Sequence, residues 1–107
     1  MARDNRSSTR HDVSIAAQLT INGTVDGTPG DCTVLNLSLG GALIGSKMRH
    51  AMGQRVHISF KVPTLAEPIA VGATVRWIDS TGIGLQFDGL RARDVWALNE
   101  YFKQLQP

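Results

Sequence analysis

A chain of 107 residues, 42% of them hydrophobic and 19% charged, forms one domain and buries about two thirds of the surface its unfolded state exposes. The formal charge of only +2 excludes a surface dominated by positive potential, so general nucleic-acid binding is not expected. A single cysteine, Cys32, rules out an internal disulfide and reads as a small core residue.

Residues 1–12, "MARDNRSSTRHD", carry no apolar pattern and no signal-peptide core. They read as a flexible N-terminal arm with two arginines, Arg6 and Arg10, four residues apart. From Val13 to Ile21 the apolar residues Val13, Ile15, Ala17, Leu19 and Ile21 alternate with polar or small ones, which predicts a strand with one face inward. "NGTVDGTPGD" (22–31) supplies the Asn, Gly, Asp and Pro of a hairpin loop.

Cys32 to Leu37 and Ala42 to Ser46 read as two short strands, divided by "SLGG" (38–41), where glycines permit a tight or bulged reversal. Val56, Ile58, Phe60 and Val62 mark a fourth strand that ends at Pro63. Ile69, Val71, Ala73, Val75 and Trp77 mark a fifth, which puts Arg76 on the outer face, and Ile83, Leu85 and Phe87 a sixth. After "DGL" the period lengthens: Val95, Leu98, Phe102 and Leu105 form one apolar stripe on a helix over about 90–105, with Trp96 and Tyr101 at its margins. Six short strands in series hide their apolar faces by curling into a small barrel, with the helix capping it or covering an edge. No apolar run approaches the roughly 20 residues of a membrane helix, so a cytoplasmic protein without membrane insertion is expected.

Nothing nominates an enzyme. His11, His50 and His57 are scattered and read as solvated side chains, not metal ligands. "GGALIGSK" (40–47) has the glycine separation of a phosphate-binding loop, but Ser46-Lys47 stand in the wrong order and Ala42 to Ile44 read as strand interior. There is no nucleophile elbow and no acidic pair with a clear common setting, and no cofactor or metal is expected.

Asn36 and Ser38 are two apart on a strand, about 7 Å from each other on one face. Because Cys32 and Val34 share their parity, periodicity alone does not say which face. By themselves they read first as an Asx or Ser turn leading into Gly40 and Gly41, and a ligand-binding role takes second place.

Taken together, Arg6-Ser-Ser-Thr-Arg10 (R-x-x-x-R) and, about 25 residues on, Asn36-Leu-Ser-Leu-Gly-Gly41 ([D/N]-x-S-x-x-G) resemble the paired signature of PilZ domains. "GALI", "ATVRW" (73–77), "GIGLQFDGL" (82–90) and the terminal helix extend the resemblance over nearly the whole chain. It implies an all-β fold, a six-stranded antiparallel barrel over 13–107 with one C-terminal helix, and a bacterial receptor for the second messenger cyclic di-GMP. By the same resemblance, Arg6 and Arg10 divide guanine and phosphate contacts between them, a use to which the guanidinium fork is suited.

The resemblance further implies that Asn36 reads a guanine edge. Ser38 would offer a hydroxyl or fix the turn, and Gly40 and Gly41 would let the main chain approach the ligand. Asn5 and Arg76 are secondary candidates for ligand contact. The family often has an aspartate where this chain has Asn36, so the negative charge that favours guanine N1–H and N2–H is missing at that position. Binding would order the arm and present a new surface to a separate, unidentified downstream protein in second-messenger control of motility or biofilm. The alternatives are a nucleotide-independent PilZ-like interaction module in pilus assembly or motility, and a barrel for single-stranded nucleic acid. The last would need exposed aromatics among basic residues, whereas Phe60, Trp77 and Phe87 have inward parity.

Overall fold

The computed structural model describes residues 10–21, 30–46 and 50–105. Six strands and one helix follow in chain order: β1 (His11–Ile21), β2 (Gly30–Leu37), β3 (Gly41–Ser46), β4 (Arg55–Phe60), β5 (Ile69–Asp79), β6 (Gly82–Phe87) and α1 (Ala92–Leu105). Every pairing is antiparallel, and the strands close into a barrel in the order β1-β2-β3-β6-β5-β4. Closure removes the free edges an open sheet would expose.

The inward positions of the alternating pattern form the core. Leu19, Val34, Leu37, Ile44, Val56, Ile58, Ile69 and Ala73 are fully buried, with Phe60 and Leu85 nearly so. Cys32 lies among them, where burial, followed by the nearby Asp31 carboxylate, pushes its thiol up from its ordinary value. The expected strands are all present. β1 begins two residues earlier than the alternation suggested, at His11.

α1 follows Gly89 and starts with a local cap, in which the Arg91 backbone N–H donates to Asp94 Oδ2 at 3.3 Å. Asp94 is buried and also satisfies the helix N-terminus electrostatically. The helix presents Ala97, Leu98 and Phe102 to the core. Val95 is only half-buried and Leu105 is 39% exposed, so the apolar stripe is shorter than its spacing implied and its last member overhangs the barrel. Thr64 Oγ1 donates to the Ala97 carbonyl at 2.6 Å, Arg93 pairs with Glu67, and Phe102 stacks on His11 at 4.1 Å between centroids. Helix α1 is thereby tied to the β4–β5 connection and to the start of β1. These lie at the barrel end where β2 also passes into β3.

Of the described helices, none is long and apolar enough to cross a membrane.

Candidate ligand-binding site

Three interruptions of the strand period build the site. In β2, Val34 pairs with Ile44 and Asn36 with Leu43, so Leu35 is an extra, bulged residue. Opposite it, the β1–β2 register steps between Asp12 and Ile15. In β5, Val75 pairs with Leu85 and Trp77 with Gly84, which leaves Arg76 as the extra residue. A bulge turns the following side chain to the other face of the sheet. Val34 and Leu37, three residues apart, are therefore both fully buried, and Asn36 between them takes the outer face. This settles the ambiguity of parity at Asn36.

The same device overturns the expectation for Trp77. It does not face inward with Val75: after the bulge at Arg76 the indole is half-buried on the outside of the barrel. It lies flat over Gly84, where an added Cβ would sit 2.0 Å from Trp77 Cε2. Only a residue without a side chain leaves room for the ring. Arg76 is exposed and outward as expected, although its neighbour's orientation is the reverse of that anticipated.

Register partners then define a row across the outer surface, from Asp12 on β1 to Asn36, Leu43, Gly84 and Trp77. With strands about 4.8 Å apart, Asn36 stands about 10 Å from Gly84 and from the indole above it.

The β2–β3 turn borders this row. The Ser38 N–H donates to the Gly41 carbonyl at 2.9 Å, and the Ser38 hydroxyl accepts from the Gly40 and Gly41 N–H groups at 3.3 and 3.2 Å. The hydroxyl can donate in turn to the Gly41 carbonyl, 3.3 Å away. Buried and spent on these bonds, Ser38 shapes the turn. Of the two roles implied for it, this is the one the geometry displays. Gly41 has an internal reason to be glycine: a Cβ there would stand 2.1 Å from the Leu85 carbonyl oxygen. The Gly40 carbonyl accepts from the Phe87 N–H at 2.9 Å, which fixes the turn to β6.

Arg10 lines the same cleft as this turn. Its Cζ lies 5.0 Å from the centroid of the Trp77 ring, within range of a cation–π contact. Arg10, Ser38, Gly40, Gly41, Arg76, Trp77, Leu85 and Gln86 line a cleft of about 270 Å³. Two guanidinium groups, one indole face and an amide side chain, Gln86, thus share one concavity. Such a set can hold an anion by charge and a planar base by stacking. Asn36 is not in the cleft wall but stands two strands from Gly84 on the same face. Asn5 and Arg6 lie outside the described residues. Trp77 and Gln86 are additions that the alternating pattern did not offer. The signal for Trp77 was Gly84, a small residue in the strand that follows.

Elsewhere, the histidines differ from the solvated reading in two of three cases. His57 is exposed, but His11 is stacked on Phe102. His50 bridges Ser46 Oγ at 3.1 Å and Gln54 Oε1 at 3.2 Å. Among the described residues no cluster of His, Cys, Asp and Glu could hold a metal ion. A wider open depression of about 1340 Å³ runs over Ala16, Gln18, Thr33, Leu35, Ser59 and Lys61, with Lys61 as the one cationic side chain among the described residues that line it.

A closed six-stranded barrel with a helix at one end and a cationic cleft on its rim is the architecture of a small binding module. The sequence profile of the PilZ domain matches residues 4–104, and the chain belongs to that family. Among solved structures, the chain is similar to the Bacillus subtilis inhibitor of motility, MotI/DgrA. The TM-score is 0.73 with 16% sequence identity, over 97% of this chain and 55% of that one. It is also similar to the PilZ domain of CeSA from a cellulose-synthesizing bacterium, with a TM-score of 0.65 and 14% identity over 92% and 99% of the two chains. At these identities the likeness speaks for the fold. The chain thus spans little more than half the length of the inhibitor of motility. Curated proteins gave no significant match.

Proposed function

We propose that the chain is a cytoplasmic receptor for cyclic di-GMP that passes the binding event to a separate protein. The observation that supports this most is the placement of Arg10 against Trp77 in one cleft with the Ser38–Gly41 turn, with Asn36 on the same outer face. The cleft has room for part of a cyclic dinucleotide, and the rest would lie along the row toward Asn36. In this reading Trp77 stacks on one purine, Arg10 and Arg76 meet phosphate oxygens or a second purine face, and Asn36 reads a guanine edge. Arg6 would add the second guanidinium of the R-x-x-x-R motif. Gly40 and Gly41 expose main chain at the rim.

Output has a route through adjacent residues. Arg10 lies in the cleft, and its neighbour His11 stacks on Phe102 of α1. A change in the path of the chain at Arg10 therefore reaches the helix within one residue. The outer side of α1 carries Trp96, which is 58% exposed, a large apolar group suited to a protein contact. The similarity to an inhibitor of motility suggests motility control as the process, and the similarity to CeSA suggests surface-polysaccharide control.

Titration calorimetry with cyclic di-GMP tests the receptor reading. Binding with a micromolar or tighter Kd is expected, weakened at least tenfold by Arg10→Ala and by Arg6→Ala. A blank titration at high micromolar protein would overturn it. The exposed Trp96 favours, as second reading, a nucleotide-independent interaction module. That reading predicts partner capture equal with and without nucleotide.

A further inference from the structure

Asp12 pairs with Asn36 across the β1–β2 ladder. Both side chains take the outer face, because Val13 beside one is turned toward the core and Leu37 beside the other is fully buried. Directly opposed residues of an antiparallel pair hold their Cβ atoms about 4.5–5.5 Å apart. Asp12 is exposed and forms no ion pair with a described residue, so its carboxylate is not committed within the barrel. Arg10, two residues earlier along the chain, sits in the cleft.

We propose that Asp12 is a specificity-determining residue of the ligand site, supplying beside Asn36 the carboxylate that recognises the donor edge of a guanine. The proposal rests on the reading of the chain as a cyclic di-GMP receptor and deepens it. Guanine presents N1–H and N2–H side by side. A carboxylate accepts both in parallel and with charge assistance, whereas the amide of Asn36 offers a single neutral oxygen. The negative charge missing at position 36 is thus present one strand away, at the register partner of the same residue. A carboxylate there also discriminates: adenine would turn the lone pair of its N1 toward it, and hypoxanthine keeps N1–H but lacks the exocyclic amine. A site built to bond a donor rejects the analogue without it more strongly than an apolar pocket does.

The test compares cyclic di-GMP, cyclic di-IMP and cyclic di-AMP by calorimetry on the full chain and three variants. The wild type should prefer cyclic di-GMP over cyclic di-IMP by tenfold or more and reject cyclic di-AMP. Asp12→Asn should lose about tenfold or more in affinity for cyclic di-GMP, with its preference over cyclic di-IMP falling toward unity and its melting temperature unchanged. Asp12→Asn combined with Asn36→Asp, which moves the carboxylate across the ladder, should regain the preference. If Asp12→Asn keeps both affinity and preference while Arg10→Ala loses binding, the role of Asp12 is overturned and the receptor reading stands. If the wild type takes up none of the three nucleotides, both fall.

Discussion

The guanidinium of Arg10 lies over the indole of Trp77, 5.0 Å from the ring centroid. Neither residue belongs to the barrel core, and they come from opposite parts of the chain. An exposed cation–π contact is worth about 0.5–1 kcal/mol, too little to hold a chain segment by itself but enough to keep the two groups in register for a ligand. A purine entering the cleft would compete for the same ring face, and base stacking on an aromatic side chain is worth about 1–3 kcal/mol. Trp77→Ala is therefore expected to weaken cyclic di-GMP binding by about 5- to 150-fold. The chain has two tryptophans, so in a Trp96→Phe background the emission of Trp77 alone should change on titration. A titration with no spectral change would remove the indole from the site.

Two glycines separate the demands of fold and site. At Gly84 an added Cβ meets the Trp77 ring at 2.0 Å, whereas at Gly41 it meets the Leu85 carbonyl oxygen at 2.1 Å. A side chain can swing away and a backbone carbonyl in a ladder cannot. Gly84→Ala should displace the indole, lowering affinity at least tenfold with a small loss of stability. Gly41→Ala should cost about 1–3 kcal/mol of stability through overpacking, read as a lower denaturation midpoint. Equal stability loss in the two variants would contradict this division.

These contrasts show why the barrel was legible in the sequence and the site was not. The strands were found because Val34, Ile58, Val71 and Leu85 repeat with period two, and burial on one face of a sheet enforces that period. The site is made where the period fails. Leu35 and Arg76 each add one residue to a strand, and each addition turns the next side chain outward. A strict alternation therefore sends Trp77 into the core and leaves Asn36 undecided. Of the residues that the paired signature marks by type and spacing, Arg10, Ser38, Gly40 and Gly41 line the candidate cleft, and Asn36 stands outside its wall on the same face. Trp77 and Gln86 stand outside the two motifs, and it is the register that turns Trp77 outward and the cleft lining that brings in Gln86.

Ser38 should behave as a residue of the turn. Its hydroxyl accepts from two backbone N–H groups at 3.3 and 3.2 Å, and it is buried. Ser38→Ala leaves those donors unpaired at a cost of about 1–3 kcal/mol. The variant should melt at lower temperature, and its nucleotide affinity should fall because the Gly40–Gly41 segment shifts. Ser38→Thr, which keeps the hydroxyl, should restore most of the affinity if its methyl group is accommodated. Wild-type melting of Ser38→Ala would show that the turn does not depend on this side chain.

Acid should weaken the fold through three carboxylates. Hydrogen bonding and the charge of Arg55 hold Asp88 below its ordinary 3.8. Arg93 does the same for Glu67 below 4.5. Bonds from the Thr81 hydroxyl, the Thr81 N–H and the Gly82 N–H lower Asp79. Each folded-state pKa lies below the unfolded one, so the stability from these contacts is complete above about pH 4.5 and is lost as pH falls through the lowered values. All three groups are exposed and screened, so each contributes modestly. Melting temperature should be level near neutrality and decline below about pH 4.5. Asp88→Asn should flatten part of that decline, and the same slope in variant and wild type would exclude Asp88 from it.

The stacking of His11 on Phe102 gives the helix a direct stake in what happens at Arg10. A covalent neighbour of the cleft arginine is packed against a buried residue of α1, so repositioning Arg10 on a ligand must either carry His11 with it or break the stack. In both cases the environment of Phe102 changes. Hydrogen exchange of the amides in Ala97–Leu105 should therefore respond to cyclic di-GMP although no residue of that segment lines the cleft. Phe102→Leu keeps an apolar side chain under the helix but removes the ring on which the imidazole lies. That variant should still bind nucleotide within a few-fold of wild type while losing most of the change in helix exchange. If helix exchange in the wild type is the same with and without nucleotide, the signal does not leave through α1, and the partner would have to read the occupied cleft directly.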